Sequence, residues 1–335
     1  MSVDVVVGGF WGDEGKGKII SHLVNKRKAT IVARGGVGPN AGHTIVVDGV
    51  EYKLRMIPSG IGGKFVRKLL IGPGVLVNPE VFLEEIEKTN MRGKAFLDHQ
   101  CGVINASHRE IDRCDPHLSK KVGTTGSGSG PANEERVRRK LKLAKEIAEL
   151  KPFLTDVPGE IHGGIANGEP ILLEGTQATY LSLFHGTYPY VTTKDVTASS
   201  ICADVGIGPT VVTDVTLVFK AYVTRVGEGF LPEELTEEET IKRGWTEYGT
   251  VTKRLRRAAP FNVELAKRSI QLNSATKIAL TKIDILFPAD QGNTEFDKLS
   301  EGAKEWLTSK EKEIGMPFTF IGTGPADVEI IDREG

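Results

Sequence analysis

Twelve residues near the start of the chain, Gly8 to Ile19 (GGFWGDEGKGKI), constrain it more than any others. A short apolar run, Val3, Val5, Val6 and Val7, precedes them and reads as a buried strand; the residues that follow can be helical. A glycine-rich turn between strand and helix gathers backbone N–H groups and a helix N-terminus around an anion, so the segment predicts phosphate binding. It is not the ordinary phosphate loop, in which Ser or Thr follows the Gly-Lys pair. Here Gly15-Lys16 runs into Gly17-Lys18, and two acids, Asp13 and Glu14, sit inside the turn. Carboxylates beside a phosphate repel it unless a metal intervenes or one of them takes part in the chemistry. A plain glycine turn capped by Asp13 is the bland alternative.

The rest of the composition narrows the class. A chain of 335 residues can bury a substantial core, and 43 Lys and Arg against 44 Asp and Glu leave no global field for a polyanion. Nucleic acid and membrane surfaces are therefore not expected partners. The three cysteines, Cys101, Cys114 and Cys202, are far apart, with no CxxC pair, which suits a reducing cytosol better than a disulfide scaffold or a zinc site. Asp4 and the glycine turn stand where a signal peptide would be apolar, and no run is long enough to span a membrane. A cytoplasmic protein is expected.

Short Val/Ile/Leu runs alternate with helical patterns along the chain. Strands are expected at Val3–Val7, Thr30–Ala33, Leu69–Ile71, Ile171–Leu173, Leu217–Ala221, Lys277–Thr281 and Phe318–Ile321. Helices are expected at Pro79–Lys88, Glu134–Leu150, Asn262–Asn273 and Gly302–Glu313. Such alternation predicts an α/β fold around a mainly parallel sheet, with ligands at the C-terminal ends of the strands, where the glycine loops fall. Gly123–Gly130 (GTTGSGSG) reads equally as a flexible linker or a functional loop.

Four further clusters carry chemistry. In GGVGPNAGHT, His43 follows Gly42 among polar neighbours, Asn40 and Thr44; a lone histidine is usually structural, but beside a phosphate it can donate a proton or stabilise charge. The strand ending in EGTQ presents Gln177 at a sheet edge, where its amide could pair with a heterocycle. ALTKIDIL, 279–286, resembles the base-reading element of guanine-nucleotide proteins, with Asp284 accepting from the guanine edge and the Lys282 stem over the ring. The basic run at 253–257, KRLRR, reads as an anion clamp rather than a solvated face.

Together these residues resemble the adenylosuccinate synthetase family, whose members join IMP to L-aspartate at the expense of GTP. WGDEGKGK, NAGHT, TTG-x-G-x-GP, EGTQ, HGTYPYVT, TRVGEG, TKIDIL and a late GTGP (Gly322–Pro325) follow in the family's order over most of the chain. The resemblance implies one domain over 1–335, P-loop-NTPase-like, with small subdomains and a homodimeric working form. Within it the phosphate and catalytic loops would span 8–44, the IMP and dimer region 123–193, the aspartate loop 249–257, and the guanine elements 279–286 and 320–325.

Roles carry over one position at a time. Asp13 matches the general base that takes the N1 proton of IMP, His43 the acid at the 6-oxygen, and Lys16 the cation on the transferred phosphoryl group. Mg²⁺ would be held by Asp13 and the carbonyl of Gly42. GTP contacts are implied for Gly12, Asp13, Glu14, Gly15, Lys16, Gly17 and Lys18, then for Gly42, His43, Thr44 and Arg256. The guanine end adds Lys282, Ile283, Asp284, Gly322, Thr323 and Gly324. Asn40, Thr125, Gln177, Thr192 and Arg254 match IMP contacts, and Arg139, expected in the helix after GTTGSGSG, matches an arginine reaching IMP from the neighbouring subunit. The aspartate loop would use Thr250, Val251, Thr252, Lys253, Arg254, Leu255 and Arg256.

The sequence departs from the family pattern at Ser127, where arginine is usual, and at Val251, Lys253 and Leu255, which replace Thr, Gly and Arg. The chain is also shorter than bacterial and eukaryotic members, as in archaeal-like versions. Two other classes compete: a GTP-binding switch, which would lack an IMP pocket and carry Gly-Lys-Ser/Thr, and a phosphoryl-activating ligase with another amine acceptor, which the altered loop allows.

Overall fold

The structure is a computed structural model and describes residues 2–249 and 254–334. All seven predicted strands join one sheet of ten. Numbered along the chain, these are β1 (Val3–Gly8), β2 (Ile31–Arg34), β3 (Lys68–Ile71), β4 (Ala95–Asp98), β5 (Leu154–Thr155), β6 (Ile171–Glu174), β7 (Asp214–Lys220), β8 (Lys277–Thr281), β9 (Phe318–Gly322) and β10 (Ile330–Asp332). They lie in the order β10-β9-β8-β7-β1-β6-β2-β3-β4-β5. Every neighbouring pair is parallel except β9 with β10 at one edge.

The apolar runs work because a strand's side chains alternate between faces. Val3, Val5 and Val7 enter one apolar layer and Val6 the other; Leu217 and Phe219 oppose Val218, and Ile278 and Leu280 oppose Ala279. Each such side chain contributes about 1.5–3 kcal/mol when fully buried. Parallel neighbours need long crossovers, and helices on both faces supply them. The helix Lys16–Lys26 buries Ile19, Ile20, Leu23 and Val24 against Val32 and Leu69. The helices Pro79–Thr89, Val263–Asn273 and Glu301–Ile314 begin at Asn78, Asn262 and Ser300, each accepting a backbone N–H from the first turn.

The predicted helix over Glu134–Leu150 is not formed. A helix runs instead over Ser129–Val137, and Arg139 adopts a left-handed φ of 61° immediately beyond it. The turn carries Leu141 back to Leu76, Ile104 and Ala132, a burial that a straight, strongly charged helix through RRKLK could not achieve. Arg139 therefore stands on an exposed turn, not in a helix.

Two small antiparallel pairs sit outside the sheet, His43–Val47 with Val50–Leu54 and Tyr222–Arg225 with Arg257–Pro260. From β1 the chain crosses to β2 on one side and later reaches β7 on the other. A crevice opens at such a switch point, beyond the C-terminal ends of β1, β6 and β7.

Candidate active site

The crevice is a cavity of about 520 Å³ with the glycine-rich turn as its floor. Gly9 has no room for a side chain, since a Cβ there would fall 2.2 Å from the Phe219 ring. Gly15, at φ 83°, is the last residue before the helix, and no side chain caps that helix, so the plain Asp13 cap is not what forms. Gly12, Asp13, Gly15, Lys16, Gly17 and Lys18 all line the cavity. Glu14 is turned away from it. Its Oε1 accepts from Phe10 N at 3.1 Å and Gly12 N at 2.7 Å, and its Oε2 from Lys16 Nζ at 2.9 Å. The acid that seemed misplaced in a phosphate loop thus closes the turn from inside and leaves Asp13 as the turn's carboxylate facing the cavity.

Lys18 ties this loop to the far end of the pocket. Its ammonium donates to the carbonyl of Gly324 and, at 2.8 Å, to that of Glu329. Burial pushes its pKa down to about 8, against the pull of Asp284 and Glu329.

His43, on the strand after NAG, is buried with Nδ1 on the Glu174 carboxylate at the end of β6. Glu174 also accepts from Ser59 N at 2.6 Å and Ser59 Oγ at 2.8 Å. Burial lowers the His43 pKa, and Glu174 opposes that shift. The second ring nitrogen, Nε2, is buried without a hydrogen-bond partner among the described residues; His43 lines the cavity, as do Gly42 and Thr44. An anionic group arriving there would favour its protonation. Sequence reasoning assigned no role to Glu174; a carboxylate at the end of a buried strand, before a glycine, was its only signal.

Opposite the floor stand the residues expected to meet IMP. Gln177 is not at a sheet edge, because β6 is an interior strand; it is buried beyond the end of that strand, and its Nε2 has no partner among the described residues. Asn40 donates weakly to Thr192 Oγ1 at 3.5 Å, while its Oδ1 is also orphaned. Buried polar atoms without partners are costly, and a cavity that gathers several is built to receive polar ligand edges.

The GTTGSGSG segment is a structured loop. Asp112 accepts from Thr124 Oγ1 at 2.8 Å and from Gly128 N at 2.7 Å, and Thr125, Ser127 and Ser129 form a hydroxyl chain along the cavity wall. Arg254 donates to the carbonyls of Gly123 and Thr124 at 3.0 and 3.1 Å, joining this wall to the basic run. Neither Arg254 nor Arg139 lines the cavity. Thr250, Val251, Thr252 and Lys253 lie outside the described residues; Leu255 is exposed.

Arg256 is buried, with NH2 at 2.9 Å from Asp13 Oδ1 and NH1 on the Glu247 carboxylate. Glu247 also lines the cavity, another residue sequence reasoning missed. Arg225, equally missed, lies over the faces of Trp11 and Tyr190, and burial lowers its pKa to about 10.

At the guanine end, Lys282 and Gly324 line the cavity, Asp284 does not, and Ile283 is buried in the core. Asp284 Oδ1 is buried with no partner among the described residues, and burial raises the carboxyl pKa. Gly322 and Thr323 do not line the cavity; Thr323 Oγ1 donates to Asn293 O at 2.7 Å. Asp13, Gln177 and Lys282 hold left-handed φ angles of 62°, 55° and 66°, strain that clusters at ligand sites.

No three acidic, histidine or cysteine side chains converge as a metal cage among the described residues. Asp13 and Gly42 both line the cavity, a sparse oxygen set of the kind that holds Mg²⁺ when substrate phosphates and water complete its shell.

A profile described as adenylosuccinate synthetase matches residues 5–149 and 140–291. The adenylosuccinate synthetase of Archaeoglobus fulgidus is 52% identical over 332 residues, covering 99% of this chain and 98% of that protein. The Methanocaldococcus jannaschii adenylosuccinate synthetase is 53% identical over 335 residues, covering 99% and 97%. The structure of the fully ligated adenylosuccinate synthetase from Plasmodium falciparum superimposes with a TM-score of 0.92 at 26% identity, over 100% of both chains.

Proposed function

The chain belongs to the adenylosuccinate synthetase family, and from that premise we propose how its cavity performs the reaction. The enzyme ligates IMP and L-aspartate to adenylosuccinate, consuming GTP and releasing GDP and phosphate on the route to AMP.

A 6-oxo purine does not exchange oxygen for an amine directly, because oxide is a poor leaving group. Asp13 takes the N1 proton of IMP, and the electron pair passes to the 6-oxygen, which attacks the γ-phosphorus of GTP. GDP leaves, and 6-phosphoryl-IMP remains. The aspartate amine then attacks C6, and phosphate departs with the former 6-oxygen. Lys16, already paired with a carboxylate in the floor, offsets phosphoryl charge, and His43 Nε2 stabilises the 6-oxygen. Mg²⁺, held by Asp13 and the Gly42 carbonyl, would neutralise the nucleotide phosphates when bound.

The single observation that carries this reading is the set of buried atoms around one cavity that have no partner among the described residues: His43 Nε2, Gln177 Nε2 and Asn40 Oδ1. Gln177 and Asn40 suit the polar edges of IMP, and Asp284 the N1–H and 2-amino donors of guanine. Arg254 and Arg256 belong to the loop that meets the aspartate carboxylates. Arg139, exposed on its turn, suits a contact with the IMP site of a second copy, and the working form is a homodimer. No helix among the described residues is long and apolar enough to cross a membrane, and the proposed location is the cytosol.

Isotope placement tests the route. With ¹⁸O at C6 of IMP, the label emerges in inorganic phosphate if the oxygen is phosphorylated first. Label released into water would overturn the 6-phosphoryl step.

A further inference from the structure

Behind Arg256 lies a row of buried charges that the proposed mechanism does not use. Lys220 ends β7 and is fully buried; its ammonium donates to Thr224 Oγ1 at 2.5 Å and Glu247 Oε2 at 3.0 Å. Glu247 Oε1 accepts from the Tyr222 hydroxyl, and the Tyr222 ring stacks on Trp245 at 4.6 Å and 14°. The same Oε2 meets Arg256 NH1, and Arg256 NH2 meets Asp13. Cation and anion thus alternate from the sheet to the phosphate loop: Lys220, Glu247, Arg256, Asp13.

The backbone supports the row. Arg256 N donates to Glu247 O and Gly249 N to Arg254 O, both at 2.9 Å, with a bridge between Tyr248 and Leu255. Glu247 and Arg256 therefore face each other where residues 247–249 pair with residues 254–256. Three donors on Glu247 fix its rotamer, and a carboxylate so fixed dictates where a paired guanidinium lies. Without it, Arg256 has Asp13 as its only remaining carboxylate in the row.

We infer that Glu247 is the positioning residue for Arg256, holding its guanidinium beside Asp13, where phosphoryl transfer takes place. The inference rests on the proposed reading of Asp13 as the base. Held there by Glu247, Arg256 has charge to offer the oxygens of the transferred phosphoryl group. The bland alternative is that Glu247 only neutralises buried Lys220.

Three variants separate the two. A displacement of about 1 Å at a reacting centre costs on the order of 10²-fold in rate. E247Q should lower kcat for IMP-dependent GDP formation by about that factor, with KM for IMP within about threefold. K220M/E247Q leaves neither Lys220 nor Glu247 as an unpaired charge; it should recover thermal stability without recovering kcat. R256Q/E247Q should lose little beyond R256Q, because the two act as one unit. The inference is overturned if E247Q keeps its kcat, if K220M/E247Q restores it, or if the losses in R256Q and E247Q add. Should E247Q not fold, the K220M/E247Q double variant decides alone. D13A reports separately: if it turns over at the normal rate, the base reading fails whatever Glu247 does.

Discussion

Glu174, at the end of an interior strand, faces His43 Nδ1 and leaves His43 Nε2 without a hydrogen-bond partner among the described residues. That pairing fixes the ring's orientation and supplies an anion to balance an imidazolium. Removing the charge while keeping the shape should spoil the acid without emptying the pocket. Glu174→Gln is expected to lower kcat by about 10²-fold, within the range of general acid–base contributions, with little change in KM for GTP. Steady-state kinetics with varied GTP and IMP check this; an unchanged kcat would remove His43 from the acid role.

Asp13 faces the cavity because Glu14, its neighbour, is consumed by the turn. Asp13→Ala should therefore cut turnover by about 10³-fold or more while the fold and much of the GTP affinity persist. Circular dichroism and GTP titration against turnover separate these effects. Wild-type-like rates would contradict the base assignment.

Asp284 carries an unpartnered, buried Oδ1 whose pKa burial has raised, so it gains most from a ligand that brings two N–H donors. Asp284→Asn should lose selectivity for GTP over ITP by about 10- to 100-fold, the range expected for a charged hydrogen bond. Competition kinetics with the two nucleotides measure it. Discrimination that survives the change would place the guanine elsewhere.

Much of this site was legible in the residues because its elements are local. A glycine turn after a buried strand, or Thr-Lys-x-Asp at the end of another, fixes its geometry within a few residues. Strands β4, β5 and β10 went unread: β5 and β10 are only two and three residues long, and β10 is made an antiparallel edge by its partner rather than by its own pattern. The helix predicted over Glu134–Leu150 failed because Leu141 is drawn to a distant cluster. Glu174 and Glu247 were missed for the same kind of reason. Each matters through a residue far away in sequence, His43 and Lys220 among them, and no spacing within one motif announces such a pair.

Glu247 also makes a prediction about acid stability. Burial opposes its ionisation, but Lys220, Arg256 and the Tyr222 hydroxyl outweigh burial and bring its pKa from 4.5 down to about 2. A depressed carboxyl pKa stabilises the fold fully above the unfolded value, and that contribution is lost as pH falls through the folded one. The Tm should drop between pH 4.5 and about 2, and drop less in K220M/E247Q. Equal drops in thermal scans would show that the row adds nothing to folding.

Arg139 lies on an exposed turn away from its own cavity. If it serves the neighbouring subunit, Arg139→Leu should raise KM for IMP, and mixing that variant with Asp13→Ala should restore part of the activity through shared sites. Complementation assays on mixed variants, at an IMP concentration where each alone is slow, read this directly; no recovery would place Arg139 outside the site.

The most direct test of the whole account is the absorbance of adenylosuccinate in a mixture of the enzyme, IMP, GTP, L-aspartate and Mg²⁺, with each component withheld in turn. The account predicts a rise that needs every one of them. No rise in the complete mixture, or a rise that persists without IMP or GTP, would contradict it.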